Sequence, residues 1–287
     1  MLALTALLAA ASATAAIQEQ RDDFQWRGRI AAGKTLEIVG INGSIDAQGG
    51  SGTEVTVTAV KGARRSNPEE VTIEVVEHAE GVTVCAVYPS RRGRENECRP
   101  GGGGRNDNNN NDTWVNWTVR VPEGVRFAGR TVNGDVTARG LTAPAETHSV
   151  NGSVSVETTS WAEATTVNGS IDARLGRASW NGDLEFSTVN GSITIDLPDS
   201  PDLEVDASTV NGSMNTDFPL TIRGRWGPRR MSGTIGQGGR ALSLSSVNGN
   251  MSLRRRFPLH RRHARRPGIA ADPPGLRGSR SGQRRER

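Results

Sequence analysis

Apolar and polar side chains alternate along much of this chain with a period of two. In Glu54–Val60, Val55, Val57 and Ala59 fall on one face. Val71, Ile73 and Val75 do the same in Val71–Val76, and Val82–Val87 and Val115–Val121 continue the pattern. A period of two carried by β-branched residues is the signal of a half-buried strand. Asn67-Pro68 and Glu80-Gly81 mark turns between these runs. No window carries the 3.6-residue period of a helix, so the pattern predicts an all-β protein.

From Thr131 onward the chain repeats a unit: apolar, Asn, Gly, then Ser, Asp or Asn, then apolar. The units VNGDV, VNGSV, VNGSI, VNGSI, VNGSM and VNGNM begin at Val132, Val150, Val167, Val189, Val210 and Val247. A degenerate copy, MSGTI, begins at Met231, and an early copy, INGSI, at Ile41. From Val132 to Val247, with Met231 counted, the starts are 16–22 residues apart, the length of one small coil of a solenoid. WNGDL at Trp180 falls between two starts and is read as a half-coil copy.

Asn-Gly is a strong turn signal because both residues tolerate positive φ. On this reading the turns are Asn42-Gly43, Asn133-Gly134, Asn151-Gly152, Asn168-Gly169, Asn181-Gly182, Asn190-Gly191, Asn211-Gly212 and Asn248-Gly249. The residue before each Asn is apolar, and the third and fifth after it usually are. Stacked coils are expected to align these positions into interior ladders. An antiparallel hairpin sandwich would also use Asn-Gly. The near-equal coil lengths favour a β-solenoid.

The chain divides by composition. Met1–Ala16 reads as a signal peptide, with Ala13-Thr14-Ala15 as a small-x-small cleavage site. No Lys or Arg precedes its apolar run, so the start codon is open to question. Residues 17–122 form an N-terminal β region. Its Gly/Asn-rich segment 99–112 is expected to be a flexible loop, since Gly and Asn build no core. Residues 123–253 are the repeat region. Residues 254–287 carry 12 Arg against Asp272 and Glu286, and read either as a disordered basic tail or as non-native sequence.

Charge changes the picture only when the tail is set aside. The whole chain has a net charge of +4, but residues 1–253 hold 23 basic and 29 acidic side chains. The folded body is therefore acidic, and its charge gives no argument for nucleic-acid binding. Export would place Cys85 and Cys98 in an oxidising compartment, where a disulfide is expected, with two free thiols as the alternative. His78 and His148 stand in unrelated contexts without metal-ligand spacing, and Asp107 and Asp112 lack the ligand order of a calcium loop. No metal, cofactor or transmembrane span is expected. Asp135 and Asp183, which follow Asn-Gly, are read as turn residues rather than as a catalytic acid pair.

The VNGSI and VNGDV units, together with VCAVYPS…CRPGGG and RVPEGV, resemble the bacterial family of DUF4097-type β-strand repeat proteins, known as putative adhesins. The resemblance spans roughly residues 30–253 and implies a non-enzymatic β-solenoid protein of the periplasm or cell surface. Such a module would bind an envelope protein or a surface polymer, and its solenoid ends would permit self-association. The competing readings are a polysaccharide-processing enzyme on a β-helix and an accessory protein of an envelope sensing system.

Overall fold

A computed structural model describes residues 23–256, apart from 91–92, 103, 177–179, 181 and 225–226. The described residues fall within one compact unit, and the expected signal peptide and nearly all of the basic tail lie outside the described residues.

The repeat region and the Ile41 copy build the same object. Each coil runs as a strand of one sheet, a corner at Asn-Gly, and a strand of the other sheet. The coils are β2 (Thr35–Val39) with β3 (Ile45–Gly50), β8 (Arg126–Arg130) with β9 (Val136–Leu141), and β10 (Ala145–His148) with β11 (Val154–Thr158). They continue as β12 (Ala162–Thr165) with β13 (Ile171–Leu175), β14 (Leu184–Asn190) with β15 (Ile193–Leu197), β16 (Leu203–Asn211) with β17 (Met214–Thr216), and β20 (Arg240–Asn248) with β21 (Met251–Arg255). Neighbouring coils pair in parallel and in register. Ile45, Val136, Val154, Ile171, Ile193, Met251 and Met214 thus form one continuous buried row.

The remaining strands close the stack. At the front, β1 (Phe24–Arg29), β4 (Glu54–Gly62) and β7 (Trp114–Pro122) extend the first sheet. There β1 and β7 each pair antiparallel with β4, while β7 lies parallel to β3. In the second sheet, β6 (Gly81–Val87) pairs with β2 in parallel, and β5 (Thr72–His78) pairs with β6 in antiparallel. At the rear, β19 (Arg229–Ile235) pairs antiparallel with β16, and β18 (Thr221–Arg223) with β19. The degenerate copy at Met231 is therefore not a coil corner: Met231 sits opposite Ala207 in the antiparallel strand β19. It lacks the Asn that the corner requires.

Spatial order departs from chain order at the rear. The first sheet runs β1-β4-β7-β3-β9-β11-β13-β15-β21-β17, and the second runs β18-β19-β16-β20-β14-β12-β10-β8-β2-β6-β5. The C-terminal coil, β20 and β21, is thus inserted between the coils of β14/β15 and β16/β17. The strand β16 is paired on both sides: Leu203 opposes Ile235 in one neighbour and Arg240 in the other.

The core is thin, as the scarcity of aromatics requires. Ala47, Ala138, Ala145, Ala162, Ala164 and Ala173 are buried beside Ile, Val and Leu, with Trp117, Phe127 and Phe186 as the bulky members. Outward positions of the first sheet pair opposite charges around Arg174. Arg174 lies 3.8 Å from Glu157 and 3.3 Å from Asp196 on the strands either side of it. Parallel sheets are ordinarily buried on both faces; here cross-strand polar pairs let the outer face meet water.

Candidate functional site: the asparagine corner

The corners align along one edge of the stack, and each position in the corner has a separate physical duty. The glycine is required by close approach. A Cβ on Gly152 would lie 2.0 Å from the carbonyl oxygen of Gly134, and one on Gly169 2.0 Å from that of Gly152. The same holds for Gly134, Gly191, Gly249 and Gly212 against the glycine of the preceding rung. This corrects the expectation that these turns need positive φ. Among the named turns only Gly43 and Gly182 lie in the left-handed region, at φ 120° and 85°. Asn110 is the one described non-glycine residue there. The other corner glycines lie outside the left-handed region, and the neighbouring rung lies too close for a side chain.

The asparagines bond to one another. Asn133 Nδ2 donates to Asn42 Oδ1 at 2.9 Å, and the pattern continues through Asn151, Asn168, Asn190, Asn248 and Asn211 at 2.8–2.9 Å. Asn181 lies outside the described residues. The residue after glycine supplies an acceptor to the following rung: Ser153 N donates to Asp135 Oδ1 at 2.7 Å, Ser192 N to Ser170 Oγ and Ser213 N to Asn250 Oδ1. Ser, Asp and Asn are interchangeable here because each places an oxygen at the same reach.

Sequence reasoning missed the first member of the unit. Thr131, Ser149, Thr166, Thr188, Thr209 and Ser246 are buried, and each hydroxyl donates to the glycine carbonyl of the preceding rung at 2.8–3.1 Å. The signal was present as Thr or Ser before every Val-Asn-Gly. The unit is therefore (Thr/Ser)-Val-Asn-Gly-(Ser/Asp/Asn)-apolar.

The valine is the member that faces out. Val132, Val150, Val167, Val189, Val247 and Val210 are 37–43% exposed and follow one another along the corner. The expectation that this position lines the interior is thus corrected for the six valines, where the buried place belongs to the hydroxyl residue before; it holds for Ile41 and Trp180, which are buried. The positions three and five residues after Asn do point inward, as at Val154 and Val156. Strand spacing of about 4.8 Å makes the valine stripe roughly 24 Å long.

A second polar assembly lies on the outer face of the second sheet. Glu37 is buried and accepts from Thr83 Oγ1, Gly101 N and Arg130 Nε at 2.8–3.1 Å. Gly101 reaches it because Cys85 and Cys98 are joined, with S–S 1.97 Å, which draws the following loop across the sheet. The Asn-rich segment is not a free linker. Asn106 bonds Ala86 O and Tyr88 N, Asn96 bonds Tyr88 O and Asp107, and Asn111 bonds Glu70. Asn side chains imitate backbone partners here, which composition alone does not reveal. The Ser66 backbone N–H above all holds Asp112 at about 2, against desolvation as the next influence, with lesser help from the Ser66 hydroxyl, the Arg65 N–H and the Arg65 charge.

Beside Glu37, His148 is held down at about 4, first by burial and then by Arg130, with Glu37 opposing. Glu163 is raised by burial and then by Glu146 and Glu185 on the adjoining strands. His78 is elsewhere, bonded to Thr83 and to the Glu80 N–H. It lines a cleft of about 270 Å³ with Trp26, Arg27 and Lys34. The structure does not bring Asp135 and Asp183 into one rung: Asp135 belongs to the corner ladder, and Asp183 precedes β14 at another turn. No grouping of three or more metal-ligating side chains occurs among the described residues.

Parallel rungs joined by side-chain ladders define a β-solenoid-type repeat scaffold. Residues 125–254 match the family model Toastrack DUF4097. Among solved structures, a putative cell adhesion protein of Clostridium sporogenes is similar at 10% identity, with a TM-score of 0.40, covering 81% of this chain and 99% of that one. A putative adhesin of Bacteroides fragilis is similar at 14% identity, with a TM-score of 0.35, covering 81% and 96%. No curated protein matches the chain in sequence.

Proposed function

We propose that this protein is an exported, non-enzymatic interaction module of the cell envelope, which binds through the valine-lined corner. The observation that carries the reading is the exposed stripe from Val132 to Val210 in spatial order. The amides beside it bond along the ladder, so the feature left for a partner is a line of apolar side chains edged by hydroxyls. A continuous exposed apolar patch edged by polar residues is characteristic of an interaction surface. The Cys85–Cys98 disulfide supports export to an oxidising compartment, and no helix among the described residues is long and apolar enough to cross a membrane. An adhesin-like role, with an envelope protein or surface polymer as partner, follows from this surface and from the family.

The test replaces Val150, Val167 and Val189 together by Thr, which keeps the β-branched shape. Circular dichroism should show an unchanged fold, while binding to isolated cell envelopes drops. Undiminished binding by the folded variant would remove the corner as the binding surface. A bound fraction that turns over envelope polysaccharide would instead favour the enzymatic reading.

A further inference from the structure

The two ends of the asparagine ladder differ. At the front, Asn42 is held on both sides: its Nδ2 donates to Thr113 O, its N–H to Tyr88 Oη, and Gly43 N donates to Asn133 O. In every interior rung the glycine N–H donates to the asparagine carbonyl of the next rung, as Gly152 does to Asn168 and Gly191 to Asn248. The rear rung is the coil of β16 and β17. Asn211 Nδ2 donates to Asn248 Oδ1, and Asn211 O accepts from Gly249 N. Among the described residues, however, nothing accepts the Gly212 N–H and nothing donates to Asn211 Oδ1.

We infer that Asn211-Gly212 is a site of spontaneous covalent modification, a labile end to a ladder whose other rungs are protected. The Gly212 backbone nitrogen, having given its proton to solvent base, attacks Asn211 Cγ. A C–N bond forms, the Cγ–Nδ2 bond breaks, and ammonia leaves with a proton from solvent. The resulting five-membered succinimide takes up water at either carbonyl and opens to aspartate or isoaspartate. Nothing is oxidised or reduced. Glycine after asparagine is the most open partner for this attack because no side chain shields the nitrogen.

The ladder controls the rate through access. In an interior rung the attacking nitrogen is engaged by the next coil and the amide by two neighbours, so the strand must separate from coils on both sides. At Asn211 the rear rung has a coil on one side only, because the β19 pairing on the other side of β16 ends at Thr209. Local opening is cheapest where fewest contacts are lost. The product alters the site: a carboxylate at 211 faces Asn248 Oδ1 with no N–H to offer, and isoaspartate adds a carbon to the backbone and breaks the register with β20.

The experiment incubates the full-length folded protein at mildly alkaline pH and follows each Asn-Gly by peptide mass spectrometry. Asn211 should convert at least about tenfold faster than Asn151 and Asn168, corresponding to a modest difference in local opening free energy. In denaturant the three should converge, because the sequence Val-Asn-Gly-Ser is common to them. Equal rates in the folded protein would overturn the inference. So would a difference that persists in denaturant, since it would then come from local sequence and not from the ladder's end.

Discussion

Gly152 lies outside the left-handed region that favours glycine, yet it tolerates no side chain. Replacing glycine where φ is unstrained ordinarily stabilises a protein by about 0.4–1 kcal/mol through the unfolded chain. Here the new Cβ would press on the carbonyl of Gly134 at 2.0 Å. Gly152→Ala should therefore cost about 3 kcal/mol or more, since backbone on both sides must shift. A urea midpoint equal to that of the native protein would refute the packing account. His148 gives a pH dependence whose sign follows from its environment. In the unfolded chain imidazole takes up a proton near pH 6.5, in the folded chain only near 4. The stability it contributes is whole above pH 6.5 and lost as pH falls toward 4. Glu163, whose carboxyl is raised, acts in the opposite direction and offsets part of the loss. His148→Gln should flatten the decline between pH 7 and 4.5 by about 1–2 kcal/mol after solvent screening. Parallel curves for the variant and the native protein would show that His148 does not titrate as described.

At the scale of elements, the C-terminal coil is the piece on which the rear depends. Because β20 and β21 lie between β14/β15 and β16/β17, the coil of β16/β17 has no neighbour in the stack until the chain is nearly complete. Arg255 and Arg256 fasten this insertion: Arg255 N donates to Asp217 Oδ2, its guanidinium stands 5.1 Å from the Phe218 ring, and Arg256 N donates to Leu197 O. Backbone amides of β16 and β20 should exchange with solvent together, as one cooperative unit, and sooner than those of β9 and β11. Exchange of β16 that follows β9, independent of β20, would contradict this. The strand β21 also continues through Arg255, two residues into the stretch that composition sets apart as tail.

Over the whole molecule, the Ile41 copy shows how far the repeat reaches. Asn42 and Asn133 are bridged in parallel across a gap of 91 residues, filled by β4 to β7 and the disulfide loop. Contacts so distant in sequence close late, and folding of the front should be slow compared with the consecutive coils from β8 to β15.

Much of this architecture was readable from the chain. Alternation gave β4, β5, β6 and β7 nearly to their ends, because inward and outward positions of a half-buried strand differ in polarity. The spaced Asn-Gly units gave the rungs, because one packing problem solved many times leaves one sequence solution. Three matters were decided only in three dimensions. Valine's exposure depends on how the backbone rotates at the corner. Glycine's necessity depends on the neighbouring rung rather than on its own torsion angles. The placement of the last coil depends on β19 occupying the far side of β16. Local sequence determines what a residue can do within its own strand, while a ladder is a relation between coils, and identical rungs carry no mark of which neighbour they will meet.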